Sequence, residues 1–205
     1  MLFQPSDSRI IAECNPHLSV VFKLICNFVV KPLILNYTMK HFAFVFLLLL
    51  FVGCSKPELM LKEGDLAPDF TLPSESGTQV SLSALKGKPV VLYFYPKDFT
   101  PGCTKEACAF RDTFAEFQAA GIEVLGVSVD DVQSHQKFKS EHNLNFTLLA
   151  DVDKKVSTAY GVLNAMGLSS RITFLIDRDG NIKRIFKDVK PDEHAAEVLA
   201  IAKTL

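Results

Sequence analysis

The chain has 205 residues, 48% of them hydrophobic, and its 22 basic and 23 acidic side chains leave a formal net charge of −1. This length and composition fit one ordinary domain with an additional segment. The balanced charge argues against the strongly basic surface that nucleic-acid binding needs, so nucleic acid is not an expected partner.

Met39 offers a natural start for translation, although the run from Ser19 to Leu35 could otherwise be a membrane-surface segment. Cys14 and Cys26 in this region have no neighbouring motif, and we assign them no function. We expect residues 1–38 to be a non-native or disordered extension.

Residues 39–53 have the order of features found in a secretory signal. A basic start, Met39-Lys40-His41, precedes an apolar run from Phe42 to Val52 and then Gly53-Cys54. The run is shorter than the about 20 residues that span a bilayer, although an uncleaved anchor or a buried helix remains an alternative. The segment resembles a bacterial lipoprotein signal peptide. The resemblance implies that Cys54 is lipidated and anchors the protein to a membrane of the cell envelope. If the segment is not a functional signal, the protein is expected in the cytoplasm.

Residues 54–63 are expected to form a polar tether, and the region 64–205 shows hydrophobic patterns that alternate between strands and helices. Strands are predicted at residues 69–72, 79–82, 90–95, 122–129, 145–149, 172–177 and 182–187. Helices are predicted at residues 101–119, 132–142, 153–160 (capped by Asp153) and 192–203. Asp179-Gly180 is a strong turn signal between the last two strands. The pattern predicts one α/β domain whose mixed sheet is flanked by helices.

Cys103 lies where a buried strand turns into a helix. Thr100 is a suitable N-cap and Pro101 suits the first helical position, so Cys103 falls third in the helix. There it lies beside unpaired backbone N–H groups and the positive end of the helix dipole. Both effects favour the thiolate, which is the nucleophilic form of cysteine.

Cys108 follows five residues later on the same predicted helix. Residues with this spacing have Cα atoms about 8–9 Å apart on an ideal helix. A disulfide cannot span more than about 7 Å without movement of the backbone. A bond between Cys103 and Cys108 therefore requires this helical turn to unwind. This geometry is typical of a transient catalytic disulfide, formed when one cysteine attacks the sulfenic acid of the other.

These residues resemble the peroxiredoxins of the bacterioferritin-comigratory-protein type, and the resemblance extends over residues 64–205. The family's motif positions are matched by Pro96, Thr100, Cys103, Glu106, Cys108 and Arg171. The resemblance implies a thioredoxin fold and a thiol peroxidase that acts on hydrogen peroxide and organic hydroperoxides. It further implies recycling by thioredoxin or a thioredoxin-like donor, a monomer or weak dimer, and no metal, haem or flavin cofactor.

The resemblance also assigns roles to the matched residues. Cys103 is the peroxide-attacking nucleophile, and Cys108 resolves its sulfenic acid. The hydroxyl of Thr100 is expected to hydrogen-bond the sulfur and the peroxide, and Pro96 is expected to shield the site and fix the turn. Arg171 should lie beside Cys103 and stabilise negative charge on sulfur and on the leaving oxygen.

Glu106 either orients Arg171 or is a solvated residue in the first turn of the helix. Other charged and histidine side chains are expected at the rim, at the surface or in capping positions, namely Lys97, Asp98, Lys105, His135, His142 and His194.

Two other functions are open. An envelope thiol-disulfide oxidoreductase of the same fold usually has Cys-x-x-Cys, which differs from the spacing of Cys103 and Cys108. A non-enzymatic copper or zinc carrier could use both thiolates, but no third ligand stands at a suggestive spacing.

Overall fold

The computed structural model describes residues 61–205. The expected extension, the signal segment, Cys54 and most of the tether lie outside the described residues. At the start of the domain, the Gly64 N–H donates to the Ile182 carbonyl at 2.7 Å and joins the chain to the sheet.

The described residues form strands and helices close to the predicted positions. The strands are β1 (Thr71–Pro73), β2 (Gln79–Ser81), β3 (Val90–Phe94), β4 (Glu123–Ser128), β5 (Thr147–Ala150), β6 (Ile172–Ile176) and β7 (Ile182–Phe186). The helices are α1 (Pro101–Ala119), α2 (Val132–His142), α3 (Lys155–Ala159) and α4 (His194–Ala202), and Leu82–Leu85 form a short 3-10 helix.

Five strands form one mixed sheet in the order β5-β4-β3-β6-β7. The β3, β4 and β5 strands are parallel, whereas β6 runs antiparallel to β3 and forms the predicted hairpin with β7. The β1 and β2 strands form a separate antiparallel pair. The mixed sheet and its terminal hairpin confirm the predicted topology class.

Strand β3 is buried along its whole length, because hydrophobic clusters cover both faces of the sheet. Its side chains alternate between the two clusters: Val91 and Tyr93 face α1 and α4, whereas Leu92 and Phe94 face the opposite side. Phe110 of α1 is fully buried and stacks on Tyr93. This packing fixes α1 against the centre of the sheet.

Helix α3 begins differently from the prediction. Asp151 at the end of β5 accepts the N–H groups of Val156 and Ser157 at 3.1 and 2.7 Å, and so satisfies the free donors of the first turn. Asp153 accepts a single backbone N–H of the helix, that of Lys155 at 3.3 Å, and forms an ion pair with the Lys155 side chain. The prediction that Asp153 is the main cap was wrong, because the buried Asp151 is better placed to reach the helix terminus.

Candidate active site

The predicted nucleophile lies where β3 is joined to α1 by the segment 95–100, which we call the catalytic loop. Thr100 has an extended backbone and precedes Pro101 at the first helical position, as predicted. The Thr104 N–H donates to the Thr100 carbonyl at 2.9 Å and closes the first turn. Cys103 in this turn has only 2% of its surface exposed. The local sequence therefore places the thiol at the helix N-terminus and beneath the surface.

Arg171 reaches Cys103 because of the register between two central strands. Phe94 at the end of β3 pairs with Ile172 at the start of β6. Arg171 therefore lies next to the C-terminal end of β3, close to the start of α1. Its Nη2 atom donates to the Cys103 Sγ at 3.3 Å. The structure thus brings together two side chains that the sequence separates by 68 residues.

Glu106 holds the other side of the same guanidinium. Its Oε2 accepts from the Arg171 Nη1, and the carboxyl group is fully buried on the inner face of α1. Of the two alternatives for Glu106, the structure therefore supports orientation of Arg171 and not a solvated first-turn position. A Cβ atom at position 102 would lie 3.1 Å from the Arg171 Nη2, so Gly102 leaves room for the guanidinium to cross the first turn.

The electrostatics of this pair depend on burial. Burial raises the pKa of Glu106 to about 7, although the Arg171 charge and hydrogen bond act in the opposite direction. Burial also acts to lower the pKa of Arg171, but Glu106 and Cys103 outweigh it and raise that pKa overall. The guanidinium next to the sulfur therefore stays charged, whereas the Glu106 carboxyl changes its charge near neutral pH.

The structure corrects the expectation that the Thr100 hydroxyl hydrogen-bonds the Cys103 sulfur. Its hydroxyl donates to the Lys97 carbonyl at 3.1 Å and makes no capping hydrogen bond to the helix. A hydroxyl has a single proton, so Thr100 cannot at the same time donate to the Cys103 sulfur. The bond to Lys97 instead closes the catalytic loop. Pro96 lies half-buried at the start of this loop, directly after Tyr95.

Cys108 lies half-buried on the unbroken α1 helix, and both Cys103 and Cys108 are free thiols. Cys108 lines an open cleft between α1 and α4 together with Lys105, Asp112 and Asp192. The two cysteines thus occupy different environments, one buried at Arg171 and one at the surface. An intact helix keeps them in the geometry that requires unwinding before they can bond.

Comparison with known proteins identifies the family. The AhpC/TSA family matches residues 64–185, more than half of the chain. A Coxiella burnetii protein described as a peroxiredoxin bcp is 51% identical over 148 residues, which cover 69% of this chain and 98% of that protein. Chloroplastic peroxiredoxin Q of Oryza sativa subsp. japonica is 47% identical over 148 residues, which cover 71% and 68%. The chain is a peroxiredoxin of the AhpC/TSA family.

Solved structures agree with this assignment. The peroxidoxin BcpB of Mycobacterium tuberculosis has a TM-score of 0.66 and 38% identity, over 71% of this chain and 98% of that one. The bacterioferritin comigratory protein of Xanthomonas campestris has a TM-score of 0.65 and 36% identity, over 72% and 98%. The peroxiredoxin resemblance and the α/β thioredoxin fold are thereby confirmed, and the protein is an enzyme with thiol peroxidase activity.

This peroxiredoxin contains a buried polar cluster that the sequence analysis missed. Asp98 has 3% of its surface exposed and accepts from the Tyr95 Oη at 2.8 Å, the Ser134 Oγ at 2.7 Å and the His135 Nδ1 at 2.9 Å. The expectation of a rim position for Asp98 and a surface or capping position for His135 was wrong. The available signal was the spacing of His135 and Phe138, which places both on one face of α2.

His194 is also buried, contrary to expectation. Its Nε2 lies 2.7 Å from the Thr173 Oγ1, and its ring packs against Phe110 and Phe186. Burial, reinforced by the Arg171 charge, lowers the pKa of His194 to about 4, so its ring is neutral at physiological pH.

Within residues 61–205, no three His, Cys, Asp or Glu side chains are grouped so that they could hold a metal ion. The metal-carrier alternative therefore lacks a ligand set in the described part of the peroxiredoxin.

None of the helices in residues 61–205 has both the length and the apolar character required to cross a bilayer.

Proposed function

We propose that this peroxiredoxin reduces hydrogen peroxide and organic hydroperoxides through a sulfenic acid on Cys103 and a transient disulfide with Cys108. A thioredoxin-type dithiol protein is the proposed reductant. The observation that carries the proposal is the 3.3 Å contact from the Arg171 Nη2 to the Cys103 Sγ at the N-terminus of α1. The bacterioferritin comigratory protein of Xanthomonas campestris is described as having alkyl peroxide reduction activity, which supports the inclusion of organic hydroperoxides.

The peroxide step transfers one oxygen atom to sulfur. The Cys103 thiolate attacks the terminal peroxide oxygen, so an S–O bond forms as the O–O bond breaks. The bond's electron pair leaves on the second oxygen, which takes a proton and departs as water or an alcohol. Arg171 stabilises the thiolate and the developing charge on the leaving oxygen, and Glu106 holds the guanidinium in place.

The resolving step requires a change in α1. After local unwinding, the Cys108 thiolate attacks the Cys103 sulfenic sulfur, so an S–S bond forms as the S–O bond breaks, and the leaving hydroxide takes a proton and departs as water. The external dithiol then reduces the disulfide by two exchange reactions, through a mixed disulfide. The half-buried Cys108 in the α1–α4 cleft supports its availability for this step.

Peroxide consumption tests the function directly. Turnover is measured with H₂O₂ and an alkyl hydroperoxide, with thioredoxin and a chemical dithiol supplied in parallel. We expect both peroxides to be consumed and Cys103→Ser to abolish consumption, because a serine hydroxyl is un-ionised where a thiolate is populated. Retained turnover in Cys103→Ser would exclude this nucleophile. Insulin reduction without peroxide consumption would instead favour the thiol-disulfide oxidoreductase.

We also propose that the enzyme is anchored in the bacterial cell envelope by a lipid on Cys54, as a monomer or weak dimer. The support for the anchor is the order of basic start, short apolar run and Gly53-Cys54 in the sequence.

A further inference from the structure

Helix α2 presents a continuous row of side chains to the catalytic loop. The Ser134 Oγ donates to the Asp98 Oδ2 at 2.7 Å. One and two turns further along, the rings of Phe138 and His142 pack on Phe99, with centroid distances of 5.2 and 6.2 Å. Because Ser134, Phe138 and His142 are four residues apart, they lie on one face of the helix. The catalytic loop is therefore attached to α2 at two adjacent positions, through Asp98 and through Phe99.

The attached segment contains a strained residue. Phe99 has a φ of +59°, a left-handed conformation that is unfavourable for a bulky side chain. Such a conformation persists only where surrounding contacts over-determine it. Phe99 directly precedes Thr100, the N-cap of α1, so its backbone sets the direction in which α1 leaves the loop. The placement of Cys103 before Arg171 thus depends on what holds Phe99.

Asp98 supplies that restraint from the neighbouring position. Besides its three side-chain hydrogen bonds, its backbone N–H donates to the Asp130 Oδ2 at 2.9 Å. Asp130 is itself held by the Ser128 Oγ at 2.7 Å, at the end of β4. Burial acts to raise the pKa of Asp98, but the hydrogen bonds from His135, Ser134 and Tyr95 and the His135 charge lower it overall. Asp98 is therefore a buried carboxylate.

His135 faces an acceptor at each ring nitrogen. Its Nδ1 lies 2.9 Å from the Asp98 Oδ2, and its Nε2 lies 3.2 Å from the Leu149 carbonyl oxygen of β5. A neutral imidazole has only one N–H, so one of its nitrogens would point a lone pair at an oxygen. Both contacts are favourable only if the ring carries two protons. The pair is then a buried carboxylate and imidazolium, and loss of either charge leaves the other unpaired.

We propose that Asp98 and His135 are positioning residues of the peroxide step. As a buried ion pair they hold the strained Phe99 turn on α2 and so direct α1 and Cys103 towards Arg171. Neither side chain touches the reacting sulfur. Only the kinetic part of this role rests on the peroxidase function proposed above, since the ion pair and the loop restraint can be measured without turnover.

Asp98→Asn tests the pair, because it preserves shape but removes the charge. In the reduced full-length wild type, the ring ¹⁵N signals of His135, assigned with His135→Gln, should show two protonated nitrogens, and in Asp98→Asn they should show one. Amide hydrogen exchange in residues 98–104 should become faster while β3 stays protected. The second-order rate constant with H₂O₂, measured by competition with horseradish peroxidase, should fall at least about 10-fold, since misplacement by about 1 Å can cost about 100-fold.

Asp131→Asn is the matched control. The Asp131 carboxylate caps α2 by accepting the Ser134 N–H at 2.8 Å, and asparagine caps equally well. It makes the same chemical change at the N-cap of the helix that Asp98 contacts, so its His135 signals, loop exchange and rate constant should match the wild type. If Asp98→Asn does not fold, Ser134→Ala removes one donor to Asp98 at an alanine-tolerant helical position, and about a threefold slower reaction with faster loop exchange is expected.

Two results would overturn the proposal. A neutral His135 in the reduced wild type would disprove the ion pair. Unchanged loop exchange and rate constant in a folded Asp98→Asn variant, or in the substitute Ser134→Ala, would disprove the positioning role. Failure of the wild type to consume peroxide would contradict the proposed function instead, and the ¹⁵N and exchange measurements would still decide the ion pair and the loop restraint.

Discussion

At the residue scale, Arg171 is the group that links the helix N-terminus to the peroxide chemistry. Its guanidinium contacts the Cys103 sulfur and the Glu106 carboxylate through different nitrogens. The helix dipole by itself can favour the Cys103 thiolate, but it provides no side-chain hydrogen-bond donor for the leaving oxygen of the peroxide. The sheet register that delivers Arg171 is therefore as important to the site as the motif around Cys103.

Arg171→Ala should slow the peroxide step by about 10²–10³-fold, the effect of losing one electrostatic stabiliser in a buried site. The measurement is the second-order rate constant with H₂O₂ under single-turnover conditions. Arg178 is exposed beyond the other end of β6, so Arg178→Ala is a matched control that should react like the wild type. An unchanged rate in Arg171→Ala would show that the contact with sulfur has no catalytic role.

Glu106 should give the protein an unusual dependence of stability on pH. Burial raises the pKa of its carboxyl group from 4.5 to about 7. Between these values the folded state binds more protons than the unfolded state, so the Glu106 contribution to the free energy of unfolding falls as pH rises. Over this range the loss amounts to at most about 3 kcal/mol.

Chemical denaturation of wild type and Glu106→Gln at pH 5, 6, 7 and 8 measures this contribution. The difference in unfolding free energy, wild type minus variant, should decrease from pH 5 to pH 7 and then level off. Glu116 is exposed on the same helix, so Glu116→Gln should show no such decrease. A difference that rises with pH would mean that Arg171 dominates over burial at Glu106.

At the scale of single elements, α1 must be stable in one redox state and open in the other. In the reduced protein it is continuous from Pro101 to Ala119, with Phe110 and Phe117 in the core. Formation of the Cys103–Cys108 disulfide requires the N-terminal turns to unwind. The fully buried Phe117, beyond residue 112, keeps the rest of the helix on the core, so the opening is limited to its first part.

Amide hydrogen exchange should therefore increase in residues 101–112 when H₂O₂ oxidises the protein, while Val90–Phe94 of β3 stays protected. Cys108→Ser provides the control. It should form the sulfenic acid but no disulfide, so its α1 should remain protected. Equal protection of residues 101–112 in reduced and oxidised wild type would contradict the unwinding.

Most elements could be predicted from the sequence, because local signals determine them. The helix start at Pro101 follows from cap and proline preferences, and the hairpin at Asp179-Gly180 follows from turn chemistry. The burial of His135 has a local signal in its spacing to Phe138, whereas the burial of Asp98 could not be predicted in this way. It depends on donors from α2 and the catalytic loop meeting in space, and an isolated Asp carries no local sign of such neighbours.

At the scale of the whole molecule, the two faces of the sheet differ in function, because the two cysteines of the site lie on one of them. The face covered by α1 and α4 carries Cys103 and Cys108, whereas the opposite face is packed by Phe70, Tyr160 and their hydrophobic neighbours. Near the start of the described residues, the Gly64 N–H donates to the Ile182 carbonyl of the edge strand β7, whereas the catalytic loop follows the central strand β3.

The lipid anchor proposed at Cys54 can be tested on the native protein isolated from the cells that produce it. The basic start at Met39, the short apolar run and Gly53-Cys54 predict cleavage before Cys54, so mass spectrometry should find a diacylglyceryl-modified Cys54 at the mature N-terminus. The protein should sediment with membranes, because a cysteine carrying two acyl chains binds a bilayer stably where a single chain does not. Cys54→Ala should release it into the soluble fraction, whereas Cys108→Ala, the same substitution within the domain, should leave it on the membrane. Peptides from residues 1–38 in the mature protein would contradict both the start at Met39 and cleavage before Cys54, and an unmodified Cys54 would contradict the lipid anchor.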